Sequence, residues 1–409
     1  MRHVMDSGRS PTRRHLLVGS SFLPFSGLAL QAAREQQPVI RKVEVIPIKL
    51  PYNRPFVLGL GLVGNQNAAG TYVFVRIEAS SGHVGWGETI ALPKWSYETA
   101  ESICSTVRDY LAPIVMGRSP FDQAWFEEKF EQTLTPAISN GFPFAKGAVL
   151  LATLDLAGQI AGVPLHRLFR GKLRDTVELT FALSLDTPGG MARAAQEGSY
   201  LKCFKVKVGG DSELDAARVR AIAKARPDAK LWIDANQSYR PIHLEDFVKR
   251  IEDIRQVQCL EQPVPSTDWL GLRRAREKVR IPIAADEGCF TSRDVARLAQ
   301  LEAVDLIVLK LAKSSGPWGC FRSATVADAH GLGLIGSGLT ESGVGLTASV
   351  HFFSTLDLLL PPELNGPHYL SDLFVEGLQV NNNIVTVPDA PGLGVQVKEA
   401  DLRKHAFNV

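Results

Sequence analysis

The chain has 409 residues, 45% of them hydrophobic and 22% charged, which is long enough for two domains or one large barrel with additions and ordinary for a globular enzyme. Its 45 basic and 43 acidic residues leave a net charge of +2, and the basic ones form neither a long run nor an aromatic-interleaved patch, so a nucleic-acid groove is not expected. The five cysteines show no CxxC spacing, and Cys203, Cys259 and Cys289 sit in or beside apolar runs, which argues against a disulfide framework.

The first 37 residues stand apart. Arg13-Arg14 follow Pro11-Thr12 and lead into a weakly apolar stretch that runs to Ala33 and ends in small residues. A charged head, a short apolar middle and small residues at the end describe an export signal, and the paired arginines resemble the bacterial twin-arginine type. Pro24 and Gly27 interrupt the stretch, which is too polar for a stable membrane span. The expectation is an exported, periplasmic protein with its mature start near Arg34–Pro38; the alternative is a cytoplasmic one.

Residues 38–166 read as an α+β domain. Val43–Lys49, Thr71–Glu78 and Val84–Glu88 are strand candidates, the first two separated by a Gly- and Asn-rich loop, Leu58–Gly70, suited to a mobile lid. Helical patterns follow at Glu98–Leu111, Pro120–Leu134 and Phe144–Gly162, the last apolar nearly all round and so buried between layers.

From Glu178 the chain alternates. Seven apolar runs, beginning with LTFALS (179–184) and ending with LGLIGSG (332–338), are separated by amphipathic stretches such as Asp215–Ala225, Leu244–Ile254 and Ser292–Leu301. Short Val/Ile/Leu-rich runs in this rhythm read as buried parallel strands of a (β/α) barrel. A helix over Val344–Leu358 and a last strand near Glu363–Asn365 complete the barrel at about residue 370, and residues 371–409 return to the first domain.

Five of these runs end in an ionisable residue, at intervals of about 25 residues: Lys207, Asp234, Glu261, Asp286 and Lys310. Consecutive parallel strands point the same way, so their ends share one rim. Three carboxylates between two lysines can then hold a divalent cation with a base on either side. Carboxylate oxygens suit a hard cation, and the absence of His and Cys from the set argues against zinc.

The words carrying these residues are FKVKVG (204–209), DAN (234–236), EQP (261–263), ADE (285–287), VLKLAKSSG (308–316) and LTESGVG (339–345), supported by GWGE (85–88), ELNGP (363–367) and PGLGV (391–395). In this order and spacing the chain resembles the enolase superfamily, within it the muconate lactonizing enzyme subgroup of the mandelate racemase/muconate lactonizing enzyme family, from Val39 to the C-terminus. The resemblance implies a modified (β/α)7β TIM-type barrel under an α+β capping domain, Mg²⁺ as cofactor with Mn²⁺ an acceptable substitute, a small carboxylate substrate, and a homo-oligomer.

It also implies roles. Asp234, Glu261 and Asp286 are the metal ligands, with Asp286 preferred to its neighbour Glu287 because the subgroup matches that way. Lys207 is the acid/base, its pKa lowered by the cation and by Lys205, and Lys310 faces it across the substrate. Lys205 is placed on the opposite face of the strand from Lys207 and is expected to need a local bend to reach the site. Lys313 fits the pattern but lies further on. Glu341 is a hydrogen-bond donor to the substrate carboxylate if protonated. Glu363 and Asn365 on the last strand, with Phe56, Trp95 and Tyr97 from the capping domain, are the substrate-binding candidates.

Proton transfer beside a carboxylate through an enolate is the expected chemistry, with muconate cycloisomerization as the main reading. Glu363-Leu364-Asn365-Gly366-Pro367 resembles the cycloisomerases' Glu-Leu-x-Gly-Pro more than the Asp-x-Asp of dipeptide epimerases. Dipeptide epimerization or N-acyl amino acid racemization is the alternative, and export favours it, because cell-wall dipeptides occur outside the cell and muconate within. A non-catalytic carboxylate-binding barrel would predict a broken catalytic set; here the set is intact.

Overall fold

In the computed structural model, which describes residues 37–136 and 140–409, three long antiparallel strands carry the N-terminal half: β1 (Ile40–Leu50), then β4 (Gly70–Ala79) and β5 (Val84–Ala91), in the order β1-β4-β5. The expected leader lies outside the described residues. Between β1 and β4, the stretch read as an open loop is instead a hairpin of β2 (Phe56–Leu58) and β3 (Gly61–Gly64). Gly61, at φ 105°, takes the turn conformation that a side chain disfavours.

The helix Pro143–Ala161 lies against β5 so closely that a Cβ on Gly85 or Gly87 would fall 2.3 Å and 2.0 Å from the carbonyls of Ala152 and Ala148. It is long and apolar enough to cross a membrane, but its apolar window is 83% buried, which makes it a core helix. Asp155 on this helix accepts the backbone N–H groups of Trp86 (2.8 Å) and Leu393 (2.7 Å), joining β5 to the C-terminal segment. That segment also runs back beside β1, where Lys49 N–H reaches His405 O at 3.1 Å and Phe407 N–H reaches Pro47 O at 3.1 Å.

The short strand β6 (Thr176–Glu178) pairs with the tail at Ile384–Thr386. Then come seven parallel strands in simple order: β7 (Phe181–Leu183), β8 (Cys203–Lys207), β9 (Lys230–Asp234), β10 (Val257–Glu261), β11 (Ile283–Ala285), β12 (Leu306–Leu309) and β13 (Gly333–Gly336). The eighth stave, expected as a strand near Glu363–Asn365, is reduced to single bridges from Glu363 to Thr180 and Ser337. Pro361 and Pro362 explain the shortening, because proline has no N–H to give to a ladder. Thr180 N–H to Pro362 O (2.9 Å) and Glu363 N–H to Gly336 O (3.0 Å) still close the circle. The fold is a (β/α)7β barrel of TIM type with an α+β cap. Cys203, Trp232, Cys259, Ala284, Val308 and Ile335 fill its interior as a buried plug.

Candidate active site

Strand register puts the ionisable residues in one place. Lys207 pairs with Asp234 on the next strand, and Asp234 pairs with Glu261 on the one after. Alternation then brings Cys203, Lys205 and Lys207 to the same face of β8, with the plug below and the charges above. This corrects the expectation for Lys205: residues two apart share a face, so no bend is required, and β8 pairs with β9 without a break from Cys203 to Lys207.

The charges interlock. Lys205 Nζ, 1% exposed, lies 3.0 Å from Asp234 Oδ2, 2.9 Å from Glu261 Oε2 and 3.3 Å from Glu363 Oε2, and 4.4 Å above the Trp232 ring. Lys207 Nζ donates to Asp234 Oδ2 at 2.6 Å and to Asn236 Oδ1 at 3.2 Å. Across the barrel, Lys310 Nζ donates to Asp286 Oδ2 at 2.6 Å and stands 4.4 Å from the Trp95 ring centre. Lys313 reaches Asp286 Oδ1 at 2.7 Å and its carbonyl at 2.8 Å.

Burial alone would raise Asp234 and Asp286, but the ammonium groups beside them outweigh it, holding Asp234 at about 2 and Asp286 lower still. Glu261 goes the other way, raised well above the carboxylate range by burial and by Asp234. Glu287 is pushed up to about 7 by burial and by Asp286. Burial would lower Lys205 and Lys310, yet the carboxylates around them raise both.

Glu261, Asp286 and Glu287 each offer a carboxylate oxygen within 4.8 Å of the others. Glu261 Oε2 and Glu287 Oε2 are buried without a hydrogen bond, the former being close to Lys205 but off the bonding direction. A buried carboxylate cluster at this spacing, with Glu287 Oε2 unbonded, fits a hard divalent cation. Glu287 therefore belongs to the carboxylate group, while Asp234 stands at its edge with both oxygens engaged by Lys205, Lys207 and the Asn236 N–H.

A cavity of about 20 Å³ lies above the charges, room for about one water. Lys205, Lys207, Lys310, Asn236 and Glu363 form its floor, and Phe56, Leu58, Val63, Leu92, Trp95 and Leu339 its roof and walls. Phe56 and Trp95, of the residues named from the capping domain, are among those that line it. Tyr97 is not: it is 45% exposed, and its hydroxyl accepts the Phe142 N–H at 3.0 Å. Asn365 sits behind Glu363, donating to its Oε1 and accepting the Ala182 N–H at 3.2 Å. Glu341 is buried beneath Gly338 and takes the Leu339 N–H at 2.9 Å; burial raises its pKa. Asn236, whose side chain links Lys207 to Glu287, is the functional candidate that sequence reading passed over, although the DAN word contained it.

A parallel barrel whose rim gathers lysines and carboxylates under a cap has the groups to hold a cation and to move a proton. Residues 40–169 match the mandelate racemase/muconate lactonizing enzyme N-terminal domain, and residues 190–401 match the enolase C-terminal domain-like family. The chain belongs to the mandelate racemase/muconate lactonizing enzyme family of the enolase superfamily and is an isomerase. It is 32% identical to the L-Ala-D/L-Glu epimerase of Bacillus subtilis over 87% of this chain and 96% of that one. It is 33% identical to muconate cycloisomerase 1-2 of Acinetobacter lwoffii over 87% and 92%. The crystal structure of the dipeptide epimerase from Cytophaga hutchinsonii, complexed with Mg and D-Ala-L-Val, superposes with a TM-score of 0.82 at 30% identity, over 91% of this chain and 99% of that one.

Proposed function

We propose that the protein is a racemase or epimerase of an amino-acid-derived carboxylate, a dipeptide or an N-acyl amino acid, carrying an uncharged apolar group on the side facing the cap. One observation carries this: Lys207 and Lys310 line a single cavity from opposite sides of the barrel. The strands they end, β8 and β12, are four places apart among eight staves. A neutral lysine on one face takes the α-proton and becomes an ammonium; the ammonium on the other face gives its proton to the carbon and becomes an amine. The stereocentre inverts, and exchange with water resets both groups.

Asp234, Glu261 and Asp286, with Glu287 in reach, would hold Mg²⁺. The cation would supply the positive charge that makes a proton beside a carboxylate acidic enough for an amine. Lys205 adds fixed positive charge to the same floor, and the apolar roof keeps water from the carbanion. The six apolar side chains of the roof and walls also favour an apolar substituent over a second carboxylate. Export through the leader belongs to the same reading.

The second reading is muconate-type cycloisomerization, supported by the Glu363–Pro367 sequence and by the Acinetobacter relative. It uses the same floor with one lysine as acid. The dipeptide epimerases among the relatives support the first reading at least as well. Incubation in D₂O with Mg²⁺, over dipeptides, N-acyl amino acids and muconates, separates them. Deuterium at an inverted α-carbon supports the proposal. Lactone carrying one deuterium, with no exchange of any amino-acid compound, replaces it with the second reading.

A further inference from the structure

The cavity wall at Gly338, Leu339 and Thr340 has a costly backbone. Thr340 sits at φ 75°, in the left-handed region that a β-branched residue seldom enters. One side chain of the capping sheet bonds Thr340 itself, and a second bonds the turn just after it. Tyr72 on β4 donates its hydroxyl to the Thr340 carbonyl at 2.9 Å. Glu88 on β5 accepts Ser342 N–H at 2.6 Å, Ser342 Oγ–H at 2.8 Å and Gly345 N–H at 2.7 Å. Tyr72 is 0% and Glu88 6% exposed, and neither lines the cavity. Burying a phenol and a carboxyl costs free energy, and here both are aimed from another sheet at the segment beside the reacting groups.

We propose that Tyr72 and Glu88 are positioning residues for the reaction: from the cap Tyr72 holds Thr340 in its left-handed conformation and Glu88 anchors the following turn at Ser342 and Gly345, so that Gly338–Thr340 form a fixed wall against the substrate. The inference rests on the cavity being the site of proton transfer. It ties catalysis to the cap sheet itself, and not only to the hairpin over the mouth.

Glycine occupies the left-handed region without penalty, so Thr340→Gly makes the holding contact dispensable. The experiment is therefore a double-mutant cycle on Tyr72→Phe and Thr340→Gly. It is read as kcat and KM for α-deuterium exchange of L-Ala-L-Leu and N-acetyl-L-leucine in D₂O with Mg²⁺, alongside the melting temperature. Tyr72→Phe is expected to lower kcat/KM about tenfold in the wild-type background and less than about threefold in the Thr340→Gly background, the scale of one buried hydrogen bond. Glu88→Ala is expected to lower kcat/KM by a similar factor, and Glu88→Gln to recover only part of it, because each carboxylate oxygen accepts a backbone N–H and the amide nitrogen would face one of them.

Equal losses from Tyr72→Phe in both backgrounds, or a fall in melting temperature with kcat/KM unchanged, overturn the proposal and leave Tyr72 a structural contact. A different result marks failure of the functional reading beneath it: exchange retained when Lys207→Ala and Lys310→Ala are combined, or absent from the wild-type protein with both probes. In that event this assignment is withdrawn as well.

Discussion

Replacing each lysine in turn by methionine tests the two-sided geometry. Lys310→Met removes the ammonium 2.6 Å from Asp286 Oδ2, but Lys313 remains 2.7 Å from the other oxygen. Lys207→Met leaves Asp234 with Lys205 at 3.0 Å. Each carboxylate keeps an ammonium, so the stability loss falls short of the ~3–5 kcal/mol that follows when a buried charge loses its only partner. Both variants should fold. The kinetic cost is larger, because a positioned acid or base contributes a factor of about 10² to 10⁴, or roughly 3–5 kcal/mol of barrier. The assay follows deuterium entry at Cα by NMR, separately for the two enantiomers of one centre, with Mg²⁺. Each variant is expected to lose exchange of one enantiomer by at least about a hundredfold, keep exchange of the other without inversion, and differ from its counterpart in which enantiomer it spares. If one variant loses both enantiomers and the other loses neither, only one base operates and racemization is wrong. Full activity in both would place the reaction elsewhere.

Lys205→Met should destabilise the metal-free protein by about 3–5 kcal/mol, since its ammonium touches Asp234, Glu261 and Glu363 at once. Millimolar Mg²⁺ should raise the variant's melting temperature more than the wild type's; equal shifts would show that Lys205 and the cation do not compete for these carboxylates, and no shift in either that the cation does not bind them. Glu98, which accepts the N–H groups of Phe144 and Ala145, is pushed up by burial from 4.5 to about 7. The folded state then holds a proton that the unfolded chain releases at lower pH. Its contribution is full below 4.5 and lost as pH rises to about 7, on the order of 3 kcal/mol at most. Glu98→Gln should flatten the fall in urea-unfolding free energy across that window by about this amount, and an unchanged slope would count against the buried acid. Gly59→Ala puts a Cβ 3.0 Å from Val208 O and 3.3 Å from Ala235 O, lifting the hairpin from the barrel rim. KM should rise about tenfold with kcat nearly constant; an unaltered KM would remove the hairpin from substrate binding.

The barrel floor was legible in the sequence because a buried parallel strand is almost wholly apolar, so a Lys, Asp or Glu at its end must have a partner. Lys207, Asp234, Glu261, Asp286 and Lys310 stood out for that reason, and register explains why they meet. Lys205 was on the same strand but was assigned the wrong face, an error of periodicity and not of chemistry. The eighth stave was overread because Pro361-Pro362 was not weighed against the apolar residues around it. Tyr97 and Trp95 are two apart and were indistinguishable as pocket candidates; only the fold shows Trp95 over Lys310 and Tyr97 turned outward. Glu88, Glu98 and Asp155 were beyond reach, since their partners are backbone amides 46 to 257 residues away, and a peptide N–H leaves no mark in sequence.

Whole-chain similarity cannot select the reaction, because 32% identity to an epimerase and 33% to a cycloisomerase are the same distance. The floor cannot select it either, since both chemistries use a carboxylate-bound cation and lysines. What differs between their substrates lies further from the reacting carbon, where this chain presents Phe56, Leu58, Val63, Leu92, Trp95 and Leu339. A second carboxylate placed against that surface would lose water and gain no partner there, at a cost of several kcal/mol. An alkyl or aromatic side chain would instead gain about 25 cal/mol for each Å² it buries. The floor makes the proton mobile, and the roof decides whose proton it is.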